Sequence, residues 1–448
     1  MNGCVHQSIS LLCTQEYTFC QKRTKLRFPF KENTNHMVTV KVKCTRSSQL
    51  YTLDETARFE VTVDGQNELV NNAMVKVALS SDTEVVFLEK EFPLTDSTKP
   101  LVVEGTMPMP GFLRCRATVA GDPDPVMAEC GVGFDPERIR PVLPEPEDFD
   151  AFWADSLGKL DSIPADPQCD EIPEMSTEDY TAYRVSFANI GKKRIYGVMS
   201  VPTAKHGTPP FPTVFEVPSA GPPVIDPAAF AFKALPRNYI IFNVNVFDFD
   251  PGQDQETRDR LYKELMEKGN YTARGLESRE SYYFYSSVVG IHRAMKWLYD
   301  REDVDKNRFV YYGGSQGGFF GFNQMALAEG RFTAGLLHIP AFGDTSGYLI
   351  GRHPMRPPGE DADAVVKTMS YFDPVHFARR ISCPIMVTVG FIDNACHPSG
   401  VYAAYNTLPA EKYILNCVES GHSGLFNYTR HRTPMYAWLQ NRMSPDFE

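Results

Sequence analysis

Between residues 36 and 135 apolar residues recur at every second position in short runs. Met37–Cys44, Phe59–Val63, Val75–Leu79, Val85–Leu88, Leu101–Glu104 and Leu113–Val119 alternate or run apolar, with turn signals such as Asp64-Gly65 and Pro110-Gly111 between them. Successive side chains of a strand point to opposite faces, so this period predicts strands with one buried face each. Strands this short and closely spaced, with no helical segment among them, read as a small all-β sandwich. The pattern then changes. Four prolines in the eleven residues Pro136–Pro146 make a stiff connector. Behind it Phe149, Phe152, Trp153, Leu157 and Leu160 fall three and four apart, the spacing of one helix face. Glu145, Glu147 and Asp148 favour the N-terminus of that helix.

Farther along, Tyr183–Phe187 and Ile195–Val201 look like an opening pair of antiparallel strands. Thr213–Val217, Tyr239–Val246, Phe309–Tyr312, Ala334–Leu337, Ile385–Val389 and Tyr413–Cys417 are near-continuous apolar runs, as strands covered on both faces should be. Residues 279–300 and 316–329 between them read as helices. The expected architecture is a doubly wound, mostly parallel α/β sheet over 141–448, preceded by the β-sandwich over 26–140. Residues 1–25 are set aside as a leader or disordered segment. Ile9–Cys13 is too short for a signal-peptide core, and basic residues follow it instead of preceding it.

Composition narrows the classes. Apolar residues make up 42% and charged residues 23% of 448, typical of an ordinary globular protein of two or three domains. A net charge of −11, with no cluster of Lys and Arg, argues against nucleic acid as a partner and tilts the substrate toward something neutral. No apolar run approaches the ~20 residues of a membrane span. Ten cysteines stand without a C-x-x-C pair or zinc spacing and read as isolated thiols, so neither a metal nor a cofactor is expected.

The sharpest chemical signal is Gly313-Gly314-Ser315-Gln316-Gly317-Gly318, a G-x-S-x-G directly after one predicted strand and directly before a predicted helix. A serine on such a turn has its hydroxyl exposed above the sheet, and small neighbours let strand and helix approach it. A serine hydroxyl needs a base, and on this kind of sheet the partners follow in the order Ser, Asp or Glu, His. Gly390-Phe-Ile-Asp393 follows the next-to-last strand, and Glu419-Ser-Gly-His422 follows the last one in a short glycine-bounded loop. The expected triad is Ser315, Asp393 and His422. Asp344 and Asp373 compete for the acid, and His292, His338 and His397 are further histidines with structural readings. The N–H of Gln316 is one candidate oxyanion donor. Ala220, in the loop Val217-Pro-Ser-Ala-Gly-Pro-Pro223, is the second.

These residues carry a resemblance. Gly313–Gly318, the segment Tyr371–Arg379 followed by Ile381–Ile385, and Asp393-Asn-Ala-Cys396-His-Pro-Ser-Gly400 are similar to motifs of the acetylxylan esterase and cephalosporin C deacetylase family of carbohydrate esterases. Asp148, Phe149, Phe152 and Trp153 match its D-F-x-x-F-W. Residues 26–140 look like the extra N-terminal β domain of bacterial polysaccharide-degrading versions. The chain departs from the family at Asn243–Asp250, where R-G-Q is absent, at Pro218-Ser219-Ala220, and at His397, Gly400 and Ser423.

The resemblance implies an α/β-hydrolase fold and a serine esterase that removes acetyl groups from acetylated saccharides without a cofactor. The altered loop at 243–250 and the run Tyr282–Tyr285 leave a feruloyl or longer acyl group open, although helix packing is the better explanation of the run itself. A degenerate hydrolase that only binds carbohydrate is the alternative outside enzymology. An acetylated oligosaccharide or small ester is the expected partner, and the resemblance leaves room for a homo-oligomer. It also implies a periplasmic or secreted location, while the N-terminus shows no clear signal peptide.

Overall fold

In Ala57-Arg-Phe-Glu-Val-Thr-Val-Asp64 the alternation buries Ala57, Phe59, Val61 and Val63, while Arg58 and Asp64 face solvent. The computed structural model describes residues 38–65, 73–120, 124–223, 238–267, 270–353, 362–427 and 429–444; the leader expected at 1–25 lies outside them. The strand above is β3, and its neighbours are β1 (Thr39–Cys44), β2 (Leu50–Tyr51), β4 (Met74–Ser81), β5 (Val86–Pro93), β6 (Leu101–Gly105), β7 (Gly111–Val119) and β8 (Val126–Phe134). They form one sheet in the order β1-β3-β6 and another in the order β2-β8-β7-β4-β5. The inner faces meet in one apolar core that includes Phe59, Val61, Val77, Leu113 and Val132. Strand β8 goes unread in the sequence because Glu129-Cys-Gly-Val-Gly133 breaks the apolar alternation. Its glycines answer to contact: a Cβ on Gly131 would lie 2.4 Å from the carbonyl oxygen of Phe391.

Helix α1 (Phe149–Asp161) buries Phe149, Phe152, Trp153 and Leu160, and the Trp153 indole N–H donates to the Tyr371 carbonyl at 3.0 Å. The strands that follow are β9 (Gln168–Glu171), β10 (Tyr180–Ala188), β11 (Arg194–Pro202), β12 (Phe211–Val217), β13 (Ile240–Val244), β14 (Val304–Gly314), β15 (Ala334–His338), β16 (Ile385–Gly390) and β17 (Lys412–Cys417). The helices are α2 (Gln255–Glu267), α3 (Tyr283–Tyr299), α4 (Gln316–Leu327), α5 (Ala362–Ser370), α6 (Pro374–Phe377), α7 (Pro398–Thr407), α8 (His422–Asn427) and α9 (Thr429–Met443). All nine of these strands join one sheet in the order β17-β16-β15-β14-β12-β13-β11-β10-β9. From β13 to β17 the neighbours are parallel, while β9, β10 and β11 pair antiparallel.

Alternate residues of the central strands feed two cores. Phe215, Phe309, Tyr311 and Leu337 join the core that holds the buried faces of α3 and α4. Val214, Val310, Tyr312 and Leu336 pack with Met435, Leu439 and Met443 of α9 on the other side. Double coverage explains the continuous apolar runs. The chain crosses from β13 to β14 on the far side of β12, so the order reverses there, and the carboxyl ends of strands at such a point are where open α/β sheets build their sites. Tyr282, Tyr283, Phe284 and Tyr285 are all buried in the core. Among the described residues no helix is long and apolar enough to cross a membrane.

A titratable group, Glu216, is buried inside this sheet. Burial pushes the Glu216 carboxyl of β12 up to about 8, with Asn243 opposing the shift, from an ordinary 4.5. Between those two values the folded protein holds a proton that the unfolded chain has released, so Glu216 makes stability fall as pH rises through the window. Glu216→Gln is expected to melt close to the parent near pH 5 and several degrees above it near pH 8, since the effect grows by ~1.4 kcal/mol per pH unit. Thermal unfolding of both proteins at the two pH values checks this.

Candidate active site

Strand β14 ends at Gly314 and α4 begins at Gln316, so Ser315 alone makes the turn, with φ 53° and ψ −114°. A non-glycine residue holds such a conformation only when its surroundings over-determine it. Here the Ser315 N–H donates to the His338 carbonyl at 2.8 Å, and the Ser315 carbonyl accepts from Phe319 at 3.1 Å and Ala341 at 3.0 Å. The glycines leave room for that turn. A Cβ on Gly313 would lie 2.4 Å from the Gly317 carbonyl oxygen, one on Gly317 2.0 Å from that of Val217, and one on Gly318 2.7 Å from Pro340 Cα. Backbone atoms cannot swing aside, so each of these three positions requires glycine.

Asp393, fully buried, lies just past β16. Its Oδ1 accepts from the N–H groups of Ala395 at 2.9 Å and Cys396 at 2.8 Å. His422 Nδ1 lies 2.9 Å from Oδ2 and 3.1 Å from Oδ1. The histidine opens α8 instead of sitting in a loop, and the N–H of Ile392 reaches the Ser420 carbonyl at 3.4 Å, which joins the two connections. Cys396 stands between the groups. Its Sγ is 3.6 Å from Ser315 Oγ, and one donor atom each from Asp393, Cys396 and His422 lie within 4.8 Å of one another. These three could hold a metal by spacing alone. Burial, and then the Asp393 carboxylate, raise the Cys396 pKa well above the ordinary thiol range, so the sulfur stays protonated. With Asp393 already bonded to His422 and two N–H groups, the chemistry of the set fits a hydrogen-bonded chain better than a metal cage.

The family model for acetyl xylan esterase (AXE1) matches residues 137–442. The chain belongs to this family. It is a carboxylic ester hydrolase of the serine esterase type. It is 32% identical over 351 residues to the acetyl esterase Axe7A of Xylanibacter ruminicola, an alignment that spans 76% of each chain. In fold it is similar to acetyl xylan esterase 1 of Thermoanaerobacterium sp. JW/SL YS485, at 18% identity and a TM-score of 0.58, covering 69% of this chain and 98% of that one. The acetyl xylan esterase of Paenibacillus sp. R4 gives 20% identity and 0.55 over 68% and 98%. The fold is that of the α/β-hydrolases.

Elsewhere in the esterase the competing side chains are engaged in structure. The Asp373 carboxylate accepts from the N–H groups of Asp344, Thr345 and Val375 at 3.0, 2.6 and 3.1 Å. Asp344 accepts from the Val142 N–H and the Ser346 hydroxyl and pairs with Arg352. His338 Nδ1 is 2.6 Å from Thr388 Oγ1, His292 is buried in α3 with its pKa lowered to about 4, and His397 is half-buried with its ring centroid 6.5 Å from that of His353. Ala220 is exposed, one residue after Ser219, whose hydroxyl donates to the Gly314 carbonyl at 2.9 Å.

Two neighbours of the site escape a reading by motif. The Tyr271 hydroxyl donates to Gln316 Oε1, and its ring packs on Phe247 of the divergent 243–250 stretch, a contact that no spacing announces. Arg114 of β7 donates to the backbone carbonyl of Asp393. Plain alternation would turn it to solvent, yet it is 1% exposed.

Proposed function

We propose that this esterase removes acetyl groups from acetylated saccharides, with Ser315 as nucleophile, His422 as base and Asp393 as the acid that orients the imidazole. The observation that carries the reading is the 2.9 Å pairing of His422 Nδ1 with Asp393 beside a serine held on a strained strand-to-helix turn. A proton kept on Nδ1 by the carboxylate leaves the Nε2 lone pair as the base. Ser315 Oγ attacks the acyl carbon as His422 takes the hydroxyl proton, and the imidazolium returns it to the departing sugar oxygen. Water, deprotonated in turn by His422, attacks the acyl-enzyme, and acetate leaves as Ser315 recovers its proton. The oxyanion rests on the N–H of Gln316, the first residue of α4, and on that of Ala220. The tie from Ser219 to Gly314 supports this assignment by bringing the 218–220 loop to the elbow.

Acetate release from acetylated xylo-oligosaccharides, run beside an aryl ester series from acetyl to hexanoyl, tests the reading. Acetylated sugars are expected to release acetate, and aryl esters to be cleaved best at two carbons, with rates falling about tenfold or more by six because a short-acyl site cannot seat the extra methylenes. Preference for chains beyond four carbons would replace the acetyl reading with the longer-acyl one.

A further inference from the structure

The acid loop between β16 and α7 is gripped along its length by residues of the β-sandwich. Strand β7 turns Leu113, Cys115 and Ala117 into the sandwich core, while Phe112 faces the other way and belongs to the hydrolase core. The Phe112 ring meets Phe391 edge-on at 5.0 Å, and β8 presses Gly131 against the Phe391 carbonyl, where no side chain would fit. Two residues along the same face, the Arg114 guanidinium donates through Nη2 to the Asp393 carbonyl at 2.5 Å. Its Nε and Nη1 are buried without a hydrogen-bond partner. At the far end of the loop Asp82, 1% exposed, accepts from the Ser399 N–H at 2.8 Å and the Ser399 hydroxyl at 3.0 Å, which caps the first turn of α7. Between these grips lie the Asp393 carboxylate and the N–H groups of Ala395 and Cys396 that hold it.

Burying a guanidinium with two of its nitrogens unpaired is costly, and simple adhesion between two layers would be served better by an apolar side chain. The geometry points to Arg114 as a positioning residue for catalysis: the β-sandwich, through Arg114 with Asp82 in support, sets the position of Asp393 against His422. The inference rests on the triad reading above. Arg114 touches only the backbone of the acid, so it acts through the placement of the carboxylate and makes no contact with substrate. A displacement of about 1 Å at a reacting group can cost ~100-fold in rate, which sets the scale of the effect.

The test uses the full chain and an aryl acetate, with rates divided by the fraction of protein that a fluorophosphonate labels. Arg114→Met is expected to lower kcat by about 10- to 100-fold with KM changed by less than about twofold. Arg114→Lys, which keeps a donor for the carbonyl, should restore most of the loss. Arg116→Met removes a cation of the same strand that instead pairs with Glu129 and Glu84 at the surface, and it should stay within about twofold of the parent. In an Asp393→Asn background Arg114→Met should cost less than about threefold, because two residues that act through one carboxylate are not additive. A merely structural role would lower the labelled fraction and leave the cycle additive. If Arg114→Met does not fold, Asp82→Asn in the same cycle decides, with an expected loss of about three- to tenfold that vanishes when Asp393 is already changed. Parent-like kcat in the folded variant, or additivity with Asp393→Asn, overturns the inference. Retained activity in Ser315→Ala would instead overturn the triad reading beneath it.

Discussion

Ser315→Ala is expected to lower kcat for an aryl acetate by about 10⁶-fold, to the residual ~10³- to 10⁴-fold advantage over water that oxyanion donors and binding alone provide. The alanine takes away the atom that forms the acyl-enzyme, and no neighbour replaces it. Cys396 is 3.6 Å from the lost hydroxyl, yet burial holds its thiol protonated and so poorly nucleophilic. The turn itself should survive, because its geometry is held by backbone bonds to His338, Phe319 and Ala341 that need no hydroxyl. The variant should therefore melt near the parent temperature while losing both turnover and labelling by a fluorophosphonate. Activity within about tenfold of the parent would remove Ser315 from the mechanism.

The second large effect is expected at Asp393→Asn, a loss of about 10⁴-fold in kcat with KM little changed. The substitution is nearly isosteric, but the amide offers N–H where His422 needs an acceptor. Of its two ends, the oxygen is claimed by the N–H groups of Ala395 and Cys396, which donate to Oδ1. The amide nitrogen is then left facing His422 Nδ1 at the position of Oδ2, now 2.9 Å away. Nδ1 must become the acceptor and the proton moves to Nε2, so the base faces the serine in the wrong tautomer. Steady-state kinetics of the variant check the loss. Asp373→Asn gives the contrast: its carboxylate binds three backbone N–H groups and the Thr345 hydroxyl, so that change should act on stability more than on kcat.

Legibility in the sequence followed how local the cause was. The strand read at 309–312, found over 304–314, the helix read at 316–329, found over 316–327, and the glycines around Ser315 were legible because each follows from contacts within a few residues or from double coverage of a strand. Strand β8 was not, since its glycines and Glu129 serve contacts with a loop some 260 residues later. Tyr271 and Arg114 were silent for the same reason. A tyrosine at the start of a short turn and an arginine in an alternating strand have ordinary local explanations, and only packing makes one the partner of Gln316 and the other that of the Asp393 carbonyl.

By itself the amino-acid sequence determined most of the elements and their order, the doubly wound sheet behind a β-sandwich, and the placing of Ser315, Asp393 and His422 each after its own strand. Those features are encoded by hydrophobic period, by turn chemistry and by position relative to strand ends, all of them properties of neighbouring residues. Tertiary structure paired Asp393 with His422 ahead of its competitors Asp344 and Asp373, and it alone decided where Cys396 sits between serine and acid and that the sandwich reaches the acid loop through Phe112, Arg114 and Asp82. Such contacts join residues from 29 to more than 300 positions apart, and the free energy that selects them comes from burial and hydrogen bonding in the folded chain, for which no local pattern exists.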